Sequence, residues 1–218
     1  MRYRLKFILK VIIILLIPLI YEYVGINYGG PLGVKYFYNS SFRPQVLGLP
    51  IFVWIFWVIF ILVGYNLTNS IFINLFKFDY KNLLKNSFYF LNLIFFDGFI
   101  VLTFDLFIDP IAVKYELWRW ENFKFSYFGV PVGNFVGWYI IVSSTTFLLR
   151  QIDRFYFTNY NERFLKLSPI IYLIIIFISF IYSLILLNIN HALLSLIISS
   201  PINLISLILI KQNFSKRL

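Results

Sequence analysis

The sequence contains no cysteine. That excludes a disulfide framework, a thiolate metal site and a cysteine nucleophile. Histidine is nearly as scarce: His191 stands alone, which excludes a multi-histidine iron or zinc centre. Charge is sparse too, at 13% of 218 residues, against about 25% in ordinary soluble domains. Carboxylates alone could still hold Mg²⁺, yet no DxxxD or DDxxD pair convincingly faces a lysine-rich phosphate pocket. No nucleic-acid-binding motif accompanies the net charge of +10, which topology explains more simply.

What is present is grease: 61% of residues are hydrophobic and 22% aromatic. Long apolar runs place the chain in a bilayer. The expected fold is all-α, a polytopic transmembrane helix bundle of about six spans forming a single domain, 1–218. The spans read as about 5–23, 47–65, 83–109, 133–150, 169–188 and 191–210. The first apolar run is too long for a signal-peptide core and lacks a cleavage site, so it reads as an uncleaved span. Residues 66–82 mix Phe72, Leu75, Phe76 and Phe78 with Asn and Lys, which predicts a short interfacial helix. Pro110 is expected to end or bend the third span, Pro169 suits a first helical turn, and Pro201 predicts a kink or break. No internal repeat is evident. Fourteen Lys and Arg fall on the side holding both termini and five on the other. This predicts cytoplasmic termini in the cell membrane.

The chain is organised around Asp105 to Trp138. The stretch opens with Asp105 and Asp109, four residues apart and therefore on one helical face. Asp97 sits a further two turns back; steps of four drift by roughly 40° each, giving one slanted stripe. Glu22 ends the first span at the same expected depth as Asp109. Charges buried in a bilayer usually face the bundle interior or water. Three carboxylates could therefore converge at the outer mouth, either for chemistry or as a structural network with Asn27, Asn92, Asn134, tyrosine or Arg119. Trp118, Trp120, Tyr127 and Trp138 surround them in sequence, either as a site or as an interfacial aromatic belt. Glu116 and Glu121 read as solvated loop acids, and His191 as a residue of a tight outer turn.

The run Asp109-Pro110-x-Ala112, Trp118-x-Trp120 and Tyr127-Phe128-Gly129-Val130-Pro131-x-x-Asn134-Phe135-x-Gly137-Trp138 resembles the integral-membrane carotenoid biosynthesis family. Its characterised members are carotenoid hydratases of the bisanhydrobacterioruberin hydratase and γ-carotene hydratase type. The first loop agrees, with Glu22-x-x-Gly25, Gly30-x-x-Gly33-x-x-Tyr36-x-Tyr38, Gly48-x-Pro50 and Trp54. The chain departs from the family pattern at Leu32, where phenylalanine is usual.

The resemblance implies addition of water to the terminal isopropylidene double bond of an acyclic carotenoid. Such chemistry needs a carboxylic acid that still holds its proton. An apolar mouth and a second carboxyl group both favour the protonated form. Asp109, Asp105 and Glu22 are the candidate catalytic residues. The tertiary cation needs aromatic faces, worth on the order of 2 kcal/mol or more when desolvated. Trp118, Trp120, Tyr127, Trp138, Tyr36 and Tyr38 are the candidate substrate contacts, with Asn134 as a hydrogen-bonding partner. No metal and no cofactor is needed. The implied partners are a carotenoid within the bilayer, membrane lipid and other carotenoid-pathway membrane enzymes, with no nucleic acid. The alternatives are a carotenoid end-group cyclase, a non-enzymatic carotenoid or lipid binder, and a small transporter.

Overall fold

A computed structural model describes residues 2–29, 34–121, 124–156 and 160–215. Gly30, Leu32 and Gly33 of the first-loop motif lie outside the described residues, as do Lys216 and Arg217 of the basic count. Seven α-helices occur among the described residues: α1 (Arg2–Tyr28), α2 (Ile51–Ser70), α3 (Tyr80–Lys85), α4 (Ser87–Lys114), α5 (Val132–Tyr156), α6 (Glu162–Leu186) and α7 (Ile189–Ser215). Six of them are long and apolar enough to cross a membrane. Helices α1, α2, α4 and α5 form the central group, α6 packs on α2 and α4, and α7 lies against α6 and α4.

Short polar residues start the helices that follow loops. Asp79 accepts from the backbone of Asn82, Asn86 from Phe88 and Tyr89, and Asn161 from Arg163. Each satisfies donors that a helix start leaves open.

The spans differ from the expected ones at their ends. The second begins at Ile51, because Gln45–Val46 (β2) and Leu49–Pro50 (β3) form a hairpin. It then runs past residue 65 into a π-helical turn, Ile71–Leu75. Thus only Tyr80–Lys85 remains of the predicted interfacial helix. The polar residues Thr68, Asn69 and Ser70, which read as a span end, are buried inside the bundle.

The prolines do not stop their helices. Pro110 lies inside α4, Pro169 in the interior of α6 and Pro201 inside α7. A proline frees the carbonyl four residues earlier, and in a membrane that carbonyl needs another donor. Ser200 supplies one to Ile197 O at 2.8 Å and Ser168 one to Leu165 O at 3.4 Å. At Pro110 the freed carbonyl is Leu106 O, which lies 2.9 Å from His191 Nε2 and accepts from Ser195 Oγ at 3.2 Å. His191 is therefore a buried residue of α7 locking it to α4, and not a turn residue.

The absence of a repeat, expected from sequence, is also corrected. The segment Leu47-Gly48-Leu49-Pro50 followed by Trp57 has the same layout as Phe128-Gly129-Val130-Pro131 followed by Trp138. In both, a tight two-residue turn with positive φ (Leu47 55°, Gly48 79°; Phe128 47°, Gly129 87°) closes a hairpin. Each hairpin, β2–β3 and then Ser126–Tyr127 (β5) with Val130–Pro131 (β6), feeds directly into a helix. Positive φ at both central residues suits the twist of paired strands. Each unit is thus a helix, a short strand, a hairpin and a helix. Tyr36–Tyr38 (β1) pairs antiparallel with Trp118–Trp120 (β4), Tyr36 opposite Trp120 and Tyr38 opposite Trp118. That register is the one a two-fold relation produces. Matched positions meet across it: Trp57 and Trp138 at 4.5 Å between ring centroids, and Asn69 and Arg150 through a 2.8 Å hydrogen bond. Little sequence identity survives outside the hairpins, which is why the repeat is hard to read from the chain.

Candidate active site

At the hairpin end of the bundle the two units line a partly open cleft whose empty space, open solvent included, is about 840 Å³. Its walls come from α1 (Tyr21, Glu22, Gly25), α2 (Val53, Phe56, Trp57, Phe60), α4 (Ile108, Asp109) and α5 (Gly133, Asn134, Gly137, Trp138, Ile141). Its cover comes from β1 and β4. Residues two apart on a strand share a face. Tyr36, Tyr38, Trp118 and Trp120 therefore all turn to the cleft, while Arg119 is exposed. The four rings pack across the strand pair, Tyr38 on Trp118 at 5.7 Å and Tyr36 on Trp120 at 6.1 Å.

Glu22 is 6% exposed. Its Oε2 accepts from Tyr36 at 2.5 Å and Tyr38 at 2.7 Å, and its Oε1 accepts from Trp57 Nε1 at 2.8 Å. Burial, followed by the charge of Glu22, holds both phenols well above the usual tyrosine range, so they stay protonated as donors. The Gly25 position lets Tyr36 come this close: a Cβ there would lie 2.5 Å from the Tyr36 ring.

Asp109, on α4, lines the same cleft as Glu22 and is 1% exposed. Asp105, one turn deeper, is fully buried and is not part of the cleft wall. The side-chain amide of Asn134 donates to Oδ2 of Asp109 and to Oδ2 of Asp105, the latter at 3.3 Å. Each aspartate keeps a buried Oδ1 with no donor. A proton held on one of the pair is the group that would satisfy them. Among the described residues no cation bonds to Glu22, Asp105 or Asp109.

The structure therefore brings together Glu22, Asp105, Asp109, Asn134, Tyr36, Tyr38, Trp118, Trp120 and Trp138. It does not bring Tyr127 to them. That hydroxyl bonds Ser195 at 2.7 Å, and its ring packs on Phe128, Phe135 and His191. Burial raises its phenol above the ordinary range. Tyr127 thus belongs to the hairpin's contact with α7. Asp97 also lies apart, bound by Arg150. Glu116 and Glu121 are exposed, as expected of solvated loop acids.

Sequence reasoning missed Trp57 and Phe60, and held Gly137 only as a residue of the resemblance motif. Trp57 was hidden in an apolar run; the signal that could have found it is its match, by the hairpin alignment, to Trp138.

The family described as carotenoid biosynthesis protein matches residues 2–201 of the chain. Comparison with curated proteins and with solved structures yields no match.

Proposed function

The chain belongs to the carotenoid biosynthesis protein family, and on that premise we propose that the cleft adds water to the terminal isopropylidene double bond of an acyclic carotenoid. What carries the reading is a group of three buried carboxyl groups, without a cationic partner among the described residues, beneath a cover of four aromatic rings. Six apolar helices and the family together make this a membrane protein of carotenoid biosynthesis, and its substrate dissolves in the bilayer.

In the proposed reaction Asp109, the acid on the cleft wall, delivers its proton to the CH carbon of the double bond. The dimethyl carbon becomes a tertiary cation. The faces of Trp118, Trp120 and Trp138, with Tyr36 and Tyr38, attract that cation without bonding to it. Glu22 accepts three hydrogen bonds from neutral groups, which suits it to remain an anion facing the cation. Water captures the cation and returns a proton to the aspartate pair, which regenerates the acid. The product is a tertiary alcohol, and no electron changes hands. Asp105 acts behind Asp109 as its proton partner through the shared amide of Asn134.

A transporter reading would lean on the repeat. Here, however, the acids sit near the helix ends beneath the β1–β4 strand pair rather than at the midplane. The proposed setting is the cell membrane with both termini cytoplasmic and the cleft on the outer side. Arg150 is buried against Asp97, so the basic count becomes thirteen against five and keeps its sign. Reporter fusions after residue 120 should sit outside and those after residue 160 inside; the reverse would turn the cleft to the cytoplasm.

The main test is expression in a host that accumulates lycopene, followed by mass analysis of the pigments. Hydration gives products heavier by one or two waters. Isomers of unchanged mass would make the protein a cyclase, and unaltered pigment would make it a binder or carrier.

A further inference from the structure

The two units supply matched walls to the cleft, and one matched position differs sharply. By the hairpin alignment, Val53, Phe56, Trp57 and Phe60 of α2 correspond to Asn134, Gly137, Trp138 and Ile141 of α5, and all eight line the cleft. On α2 the wall is filled by rings: Phe52 meets Phe56 at 5.7 Å, and Phe56 stacks on Phe60 at 5.7 Å. On α5 the positions matching Phe52 and Phe56 are Gly133 and Gly137, one turn apart on one helical face. A Cβ placed on Gly137 would meet nothing within 4 Å. The bare wall begins beside Asp109, which is 1% exposed, lines the same cleft and carries the unpartnered Oδ1.

We propose that the hydrocarbon tail of the substrate leaves the cleft along α5 over Gly133 and Gly137, and that residue 137 determines the tails admitted. The inference rests on the reading of the cleft as an end-group site. Beyond the short flexible unit that carries the isopropylidene end the polyene is rigid, so it needs a straight apolar exit close to the acid. The α2 wall offers no such exit, because the Phe56 and Phe60 rings occupy it, with Phe52 packed against Phe56. The Gly137 wall does, and beside it Trp138 packs on Trp57 with ring centroids 4.5 Å apart. The ligand class is an unbranched-in-section, long conjugated hydrocarbon with an isopropylidene end.

The test copies one unit onto the other. Gly137→Phe reproduces Phe56, and Val136→Phe adds the same ring to an exposed position outside the cleft wall, where Val136 is 43% exposed. Wild type and both variants are purified from lycopene-producing cells, matched for thermal stability, and measured for bound lycopene. Hydration of lycopene and of myrcene, a ten-carbon hydrocarbon with the same end group, is followed by mass. Gly137→Phe should lose about tenfold or more in lycopene binding, and its lycopene turnover should fall by a clearly larger factor than its myrcene turnover. Val136→Phe should keep both. Full lycopene binding by Gly137→Phe would overturn the path, and so would equal loss of lycopene and myrcene turnover. If wild type binds lycopene, Gly137→Phe releases it and neither hydrates anything, the tail path stands and the hydration reading fails.

Discussion

Buried acids occur at two levels of this bundle and are held by opposite means. Toward the termini, Asp97 takes two hydrogen bonds from Arg150 at 2.7 and 2.8 Å, and Arg150 also bonds Asn69 and lies 4.2 Å over the Tyr65 ring. Asp153 binds Lys10 at 2.6 Å and Tyr80 at 3.0 Å. At the hairpin end, among the described residues, Glu22, Asp105 and Asp109 take only neutral donors from tyrosine, tryptophan and asparagine. A carboxylate bound to a guanidinium has no proton to give and cannot lose its partner cheaply. An acid held by neutral groups can exchange a proton and stay in place. The difference separates acids fixed by a cation from acids held by neutral groups alone, the latter being those proposed to react.

Four changes would break or sharpen that contrast. Asp109→Asn keeps shape and hydrogen bonding but removes the transferable proton; hydration should fall by about 10²–10⁴-fold with unchanged protein level and melting. Equal pigment hydroxylation in this variant and in Asp105→Asn would move the acid to Glu22. Arg150→Met should do the reverse: it strands Asp97 and costs about 3–5 kcal/mol of stability, read as a lower melting temperature, while turnover per folded molecule is kept. A variant that melts normally would show that Asp97 does not depend on its cation. Glu22→Gln should slow hydration by about tenfold, since it removes one nearby charge in a low-dielectric site; undiminished activity would leave Glu22 a purely structural acceptor. Trp118→Phe should have the smallest effect, a few-fold loss, because a weaker aromatic face still meets the cation. A loss as large as that of Asp109→Asn would assign Trp118 a larger part than cation attraction.

Much of this was legible in the chain. Six apolar runs gave six spans, and a spacing of four put Asp105 and Asp109 together. Three things were not legible, for physical reasons. Pro110 reads as a helix end because the donors that rescue Leu106 O, His191 and Ser195, lie on another helix more than 80 residues later. Tyr-x-Tyr and Trp-x-Trp are strands of three residues, too short for an alternating pattern to declare itself until the two pair. Tyr127 shares its stretch with true cleft residues, but a hairpin turn directs it to α7.

The parentage of each acid's partners has a consequence for how the protein is made. Glu22 draws its donors from Tyr36, Tyr38 and Trp57, all supplied by the time α2 has emerged from the ribosome. Asp105 and Asp109 draw theirs from α5, and the cover strand β1 has no partner until β4 is synthesised, 82 positions later. The first unit can therefore settle its acid during translation, while the second enters the bilayer with two carboxyl groups still unattended. The aspartate pair thus waits for α5, which follows β4 in the chain and is the last wall of the cleft to be supplied.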